Sequence, residues 1–187
     1  MKKVALVLLV TGLIAGGIWA NRDSIGLSFV DADQGGNQSE TIDLAAPDVV
    51  LPSLDGDWLK LSKYKGQVVL VNFWATWCGY CREETATLIQ LQQDYGPKGF
   101  TVLGIAVDDE GEESVKTFVE TERFDVNGVS TRVNFPMATG YKEVFDKFGG
   151  LAGVPSTILI SREGREVKRI VGTLRYESTS RAVKKLL

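Results

Sequence analysis

The sequence contains no histidine, only two cysteines and no excess of positive charge, and each shortage removes a class of function. Without histidine there is no Ser-His-Asp triad and no cysteine–histidine nucleophile pair. Two cysteines cannot fill a four-ligand structural zinc site, which draws mainly on Cys and His. Haem attachment needs a histidine directly after the second cysteine, and Arg82 stands there. Lys2 and Lys3 are two of the 21 basic residues, so the chain beyond residue 20 sets 19 bases against 24 acids. A nucleic-acid partner is therefore not expected, since a phosphate-binding face wants a basic stripe. The acidic run Asp108, Asp109, Glu110, Glu112 and Glu113 lacks the alternating ligands and late glutamate of a calcium loop and reads as solvated. No metal or cofactor is expected.

What is present points to one exported domain. The 187 residues, 44% of them hydrophobic, suffice for a single core plus a targeting segment. Lys2 and Lys3 precede an uncharged run from Val4 to Ala20. As a helix that run spans about 25 Å, just short of a hydrocarbon core of about 30 Å. Both a cleaved signal peptide and a retained anchor fit. Ile18 two residues before Ala20 makes a poor small-x-small cleavage site, which favours the anchor. No cysteine follows the run to take a lipid. Either way the lysines stay in the cytoplasm and the remainder is exported. We divide the chain into an anchor or signal peptide over 1–20, a flexible polar tether over 21–40 and a folded domain over 41–187.

Within that domain, Pro47 to Gly66 reads as two short strands around the Asp55-Gly56 turn. Gln67 to Ala75 is nearly all apolar and β-branched, the mark of a central strand covered on both faces. From Cys78 the spacing turns helical, with Leu88, Leu91 and Tyr95 on one face and Gly96-Pro97 behind. Phe100 to Asp108 is a second buried strand, Ser114 a helix cap, and Val126 to Val129 a turn or small hairpin. Tyr141 to Gly149 reads as a helix, the segments around Ser161 to Arg165 as an antiparallel hairpin, and Tyr176 to Leu187 as an amphipathic helix. Strands alternating with helices make an α/β fold, a sheet covered on both faces over about 145 residues.

Both cysteines lie in Asn72 to Glu84, NFWATWCGYCREE, at the junction of the buried strand and the first helix. Unpaired N–H groups in the first helical turn stabilise an anion, so a thiolate is favoured at Cys78, with Arg82 adding positive charge nearby. At i and i+3 the two sulfurs share a helix face and can close a disulfide. Cys78, nearer the exposed end, is the attacking thiol and Cys81 the resolving one. The alternative is a plain staple in an exported protein. So small a ring constrains the unfolded chain by only about 2 kcal/mol, against about 4 or more for a long loop, which favours a redox pair.

The stretch VVLVNFWATWCGYCREE resembles the thioredoxin superfamily. More narrowly, together with PDVVLPSLDGDWLKLSKYKG before it and GVPSTILISREGREV after it, it is similar to the TlpA/ResA/CcmG branch of membrane-tethered thiol–disulfide oxidoreductases. The similarity runs over roughly residues 45 to 172. It implies a thioredoxin fold, a central mixed sheet with helices on both faces. An N-terminal hairpin precedes it and an insertion lies before the cis-proline half. It implies Cys78 and Cys81 as the redox pair and Pro155 as a cis-proline facing the disulfide. The backbone of Val154 would pair with the substrate chain, and Trp77 would shield the site and touch substrate. Glu84 stands where the branch carries an acid beside the pair and would take or return the proton of Cys81, whereas Glu83 reads as solvated. Asn72 occupies the strand position where thioredoxins proper carry a buried acid, which shifts proton handling to Glu84. Trp74 reads as core. Thr85-Ala86 stands where a helix proline is common, and Arg123 to Arg132 exceeds the usual insert.

The expected function is an extracytoplasmic protein disulfide reductase of exported proteins, with apocytochrome c as a candidate substrate and a membrane electron donor restoring the dithiol. The rival directions are thiol oxidase and isomerase. A peroxiredoxin-like peroxidase wants a threonine three before its cysteine, where this chain has Ala75. A tethered, non-catalytic binding module is the third alternative.

Overall fold

The computed structural model of the protein describes residues 30–32, 38–140 and 143–187. The expected anchor or signal peptide over 1–20 lies outside them. Among the described residues no helix is long and apolar enough to cross a membrane.

The sheet grows from β5 (Val68–Trp74), buried at every position. Its uniform burial explains its uninterrupted apolar sequence, because alternate side chains enter cores on opposite faces. Val68, Leu70 and Trp74 point to one core, shared with α1 (Gly79–Tyr95), α2 (Glu112–Thr121) and α4 (Tyr176–Lys184). Val69, Val71 and Phe73 point to the other, with Leu59 and Leu61 from the N-terminal hairpin and Val144 of α3 (Glu143–Lys147). β6 (Phe100–Ala106) and the short β9 (Met137–Thr139) run parallel to β5 on one side. On the other side β10 (Ser156–Ile160) runs antiparallel to β5, and β11 (Arg165–Val171) runs antiparallel to β10, forming the expected terminal hairpin. Beyond β11 lie β2 (Gln38–Ala45) and β1 (Val30–Ala32), giving the order β1-β2-β11-β10-β5-β6-β9. The hairpin of β3 (Val50–Pro52) and β4 (Trp58–Lys60) is separate, and turns at Gly56 with φ +89°. The mixed sheet with helices on both faces is thus as expected.

Three details differ from the sequence expectations. β1 and the first residues of β2 fall inside the expected tether over 21–40, so the ordered domain starts before Thr41. An outer strand is held by its backbone ladder to β11 and needs no apolar alternation, which is why a polar sequence forms it. Ser114 does not cap α2. Gly111 does, at φ +90°, and Glu112 and Glu113 fill the first turn, where the dipole favours acids. Ser114, inside the helix, donates to Glu110 at 3.1 Å. Of the expected helix from Tyr141, Glu143–Lys147 is helical, and 141–142 lie outside the described residues.

The long insert holds β7 (Phe124–Val126) and β8 (Val129–Thr131), joined by Asn127 (φ 54°) and Gly128 (φ 81°). Both turn residues have positive φ, the requirement of a two-residue hairpin whose twist matches its strands. Phe124 and Val126 reach the core under α1. A register shift between Glu166 and Lys168 puts Glu166 and Arg169 on one face, where Arg169 closes on the buried Glu166 carboxylate at 2.6 and 3.1 Å.

Candidate active site

Residue 78 stands at the N-cap of α1, and its geometry follows from the chain's exit from β5. The backbone leaves Trp74, closes a turn through the Cys78 N–H to the Ala75 carbonyl (3.1 Å), and enters the helix at Gly79. The Cys78 sulfur accepts from the Cys81 N–H at 3.2 Å, as an N-cap side chain does for the third helical residue. The same N–H also donates to the Cys78 carbonyl at 3.1 Å, so the sulfur shares one of the first-turn N–H groups at the helix start. The two cysteines form a disulfide with Cα atoms 5.3 Å apart. Cys78 keeps 6% of its surface exposed against 2% for Cys81, the ordering expected of attacking and resolving sulfurs. Arg82 adds less charge there than expected. Its guanidinium pairs with Glu122 at 2.8 Å and lies 5.0 Å over the Phe118 ring.

Glu84, one helical turn after Cys81, is 1% exposed. Asn72 Nδ2 donates to its Oε1 and the Leu174 N–H to its Oε2, both at 2.7 Å. Burial pushes its carboxyl up to about 7, with those two donors pulling in the opposite direction. Asn72 Nδ2 also donates to Thr157 Oγ1 at 3.0 Å. This follows from register, since Asn72 and Thr157 are direct partners in the β5–β10 ladder. Glu83 is exposed, as expected.

The Val154–Pro155 peptide bond is cis. These two residues, with Tyr80, Gly153, Val171 and Gly172, line an open groove of about 400 Å³ that has no charged side chain in its lining among the described residues. Its far wall is tied in place by the Gly172 N–H donating to the Pro155 carbonyl at 2.9 Å. Trp77 is 60% exposed and Tyr80 67% exposed, so two aromatic surfaces flank the disulfide. Trp74 is buried against Phe118, ring centres 5.0 Å apart.

Three contributors escaped the sequence. Thr157 and the Leu174 N–H are set by tertiary register alone. Asp108, read as part of a solvated run, is half-buried and holds the active-site loop. Its Oδ2 accepts from the Thr76 N–H (2.7 Å) and hydroxyl (2.5 Å), while Oδ1 accepts from the Glu110 N–H. Asp108→Ala should lower stability by about 1–2 kcal/mol in urea unfolding and speed amide exchange at Thr76 and Trp77. Unchanged exchange there would show that the loop holds itself. Among the described residues no group of three or more Cys, Asp or Glu is placed to hold a metal ion.

Comparisons with known proteins agree with this geometry. Residues 42–168 match the model of the AhpC/TSA family. The chain is 33% identical to the thiol-disulfide oxidoreductase ResA of Geobacillus kaustophilus, over 73% of this chain and 72% of that one. It is 29% identical to ResA of Bacillus subtilis, over 93% of this chain and 89% of that one. Among solved structures, a thiol:disulfide interchange protein of the thioredoxin family from Chlorobium tepidum superposes with a TM-score of 0.65 at 30% identity, covering 78% of this chain and 97% of the other.

Proposed function

Because the chain belongs to the AhpC/TSA family and is a thiol–disulfide oxidoreductase of thioredoxin fold, we propose that it reduces disulfides of exported proteins through Cys78 and Cys81, apocytochrome c among them. The observation that carries this reading is a disulfide between an N-cap residue and the third residue of α1, with Tyr80, from between the two cysteines, lining the same groove as the cis Val154–Pro155 pair.

The steps follow from those positions. In the dithiol, Cys78 is a thiolate held by the helix N-terminus and attacks one sulfur of a substrate disulfide. The other substrate sulfur leaves as a thiolate, and a mixed disulfide forms. Cys81 passes its proton to ionised Glu84 and attacks the Cys78 sulfur. The second substrate thiolate departs, and two electrons have moved from protein to substrate. A thiol-reducing donor at the membrane then restores the dithiol. The substrate chain lies in the groove, paired to the backbone of Val154, with its apolar side chains against Tyr80, Val171 and Trp77. Glu84 supports the reducing direction. A base beside Cys81 assists closure of the internal disulfide, and its negative charge disfavours a stabilised thiolate. Lys2, Lys3 and the apolar run to Ala20 support an extracytoplasmic site with the chain tethered to the membrane.

Insulin reduction and an equilibrium reduction potential test this reading. A potential near the about −120 mV of a strong oxidant would overturn the reducing direction, and peroxide consumption outpacing disulfide reduction would replace it with a peroxidase. Val171→Asp should raise the KM for a protein disulfide about tenfold, roughly 1.4 kcal/mol, with reduction of the protein by a small dithiol unchanged. An unaltered KM would remove the groove from substrate binding.

A further inference from the structure

We propose that Asn72 is a positioning residue whose side-chain amide turns over each time Glu84 gains or loses a proton, so that the buried carboxyl exchanges its proton at Oε1 and keeps its hydrogen bonds to Asn72 and to the Leu174 N–H. The inference rests on the reading that Glu84 handles the proton of the cysteine pair, and adds how a sealed site permits it.

Glu84, Asn72 and Thr157 are each no more than 2% exposed, so water cannot compensate a mismatched donor. As arranged, the Asn72 amide spends both N–H groups: one on Glu84 Oε1 at 2.7 Å, one on Thr157 Oγ1 at 3.0 Å. That suits an ionised carboxylate, which only accepts. A proton on Oε1 would face the amide donor directly. Oε2 offers no better place, since its partner is the Leu174 backbone N–H, which can donate but never accept. A half-turn of the Asn72 amide resolves the conflict. Its Oδ1 then accepts from the Glu84 O–H, and the Thr157 hydroxyl, free to rotate, donates to the same oxygen. Both contacts survive with polarity reversed, and the Leu174 bond is unchanged.

This requires an amide opposite a hydroxyl at one register position, as the Asn72–Thr157 pair supplies. An aspartate at 72 could not do it, since an ionised carboxylate cannot donate to a second one. The partners of Glu84 from β5, β10 and the segment before α4 are the neutral Asn72 and Leu174 N–H, with Thr157 behind, and no charged side chain contributes to its shift. On its own helix Cys81 lies one turn back and does not titrate as a disulfide, while Tyr80, Arg82 and Glu83 are exposed to solvent.

The test is NMR of the full-length, oxidised protein, following the Glu84 carboxyl carbon and the Asn72 side-chain amide between about pH 4 and 10. The expected result is a Glu84 titration during which the Asn72 amide protons, close to the Thr157 methyl at high pH, move away from it at low pH. A Glu84 titration with the amide unmoved overturns this inference and leaves the proton-acceptor reading intact. Absence of any Glu84 titration overturns both. Asn72→Leu gives a second measure. A fixed donor serves only the ionised form, so its removal would raise the Glu84 midpoint by about one unit or more. A donor that reverses serves both forms, so the expected rise is smaller. A rise of a full unit or more overturns the proposal, and should Asn72→Leu not fold, the wild-type spectra decide alone.

Discussion

Cys81→Ser should abolish turnover of a protein disulfide down to the rate of the buffer thiol alone, and should leave Cys78 covalently joined to its substrate. The two outcomes come from one asymmetry. The Cys78 sulfur sits at the N-cap, accepting the N–H of residue 81, and that N–H is present whichever side chain residue 81 carries. Its activation as an anion therefore survives the substitution, and so does the first displacement. The second displacement does not, because no internal thiol remains to attack the mixed disulfide. A species of the combined mass should accumulate on non-reducing gels and disappear with added dithiol. Cys78→Ser should give neither turnover nor adduct, since Cys81 is the less exposed sulfur and lies inside the first helical turn. An adduct through Cys81 in that variant would reverse the assigned roles. Turnover retained by Cys81→Ser would mean that the pair does not act as a dithiol. Expressed as the full chain in its own host, Cys81→Ser also identifies the partner, and capture of exported thiol proteins is expected.

The parts of this site that the sequence discloses are those where one residue's neighbours in the chain are also its neighbours in space. β5 is legible because burial on both faces leaves an unbroken apolar run, and α1 because Leu88, Leu91 and Tyr95 keep helical spacing against it. Cys78 and Cys81 are legible for the same reason, since a strand end, a turn and a helix start are local events. Glu84 could be singled out by its one-turn offset from Cys81. Its burial could not, because the strands that enclose it arrive from elsewhere in the sequence. Thr157 is 85 positions from Asn72, and only the antiparallel register of β5 and β10 brings them together. Leu174 contributes a backbone N–H, which leaves no trace in side-chain pattern. Asp108 was hidden by its surroundings, an acidic run whose other members Asp109, Glu110, Glu112 and Glu113 do face solvent. β2 was hidden by its position toward the edge of the sheet, where hydrogen bonds to β11 hold a strand without an apolar alternation.

The same buried carboxyl gives the largest expected response to pH. In the unfolded chain Glu84 ionises at its ordinary 4.5, and in the folded protein burial delays ionisation to about 7. Between those values the folded state holds a proton that the unfolded state has released, so raising the pH favours unfolding. The stabilising contribution is complete below pH 4.5, shrinks as pH rises, and is gone above 7. A separation of that size corresponds to about 3 kcal/mol. Glu84→Gln removes the ionisation without emptying the site. Its carbonyl can accept from the Leu174 N–H, and its amide can donate to an Asn72 turned to present Oδ1. The difference in unfolding free energy between the variant and the wild type should therefore change by about 3 kcal/mol from pH 4.5 to 8, in the direction that makes the variant relatively more stable at high pH. Urea unfolding of both oxidised proteins across that range measures it, and groups common to both cancel in the difference. Activity should move the other way. Wild-type reduction of a protein disulfide should rise with pH through about 7, as Glu84 becomes able to take the proton of Cys81. Glu84→Gln should be slower at every pH and lack that limb. A pH-independent stability difference would mean that Glu84 ionises as an exposed glutamate does. A stability difference of the expected size with identical pH–rate profiles would confine Glu84 to the fold and take it out of the chemistry.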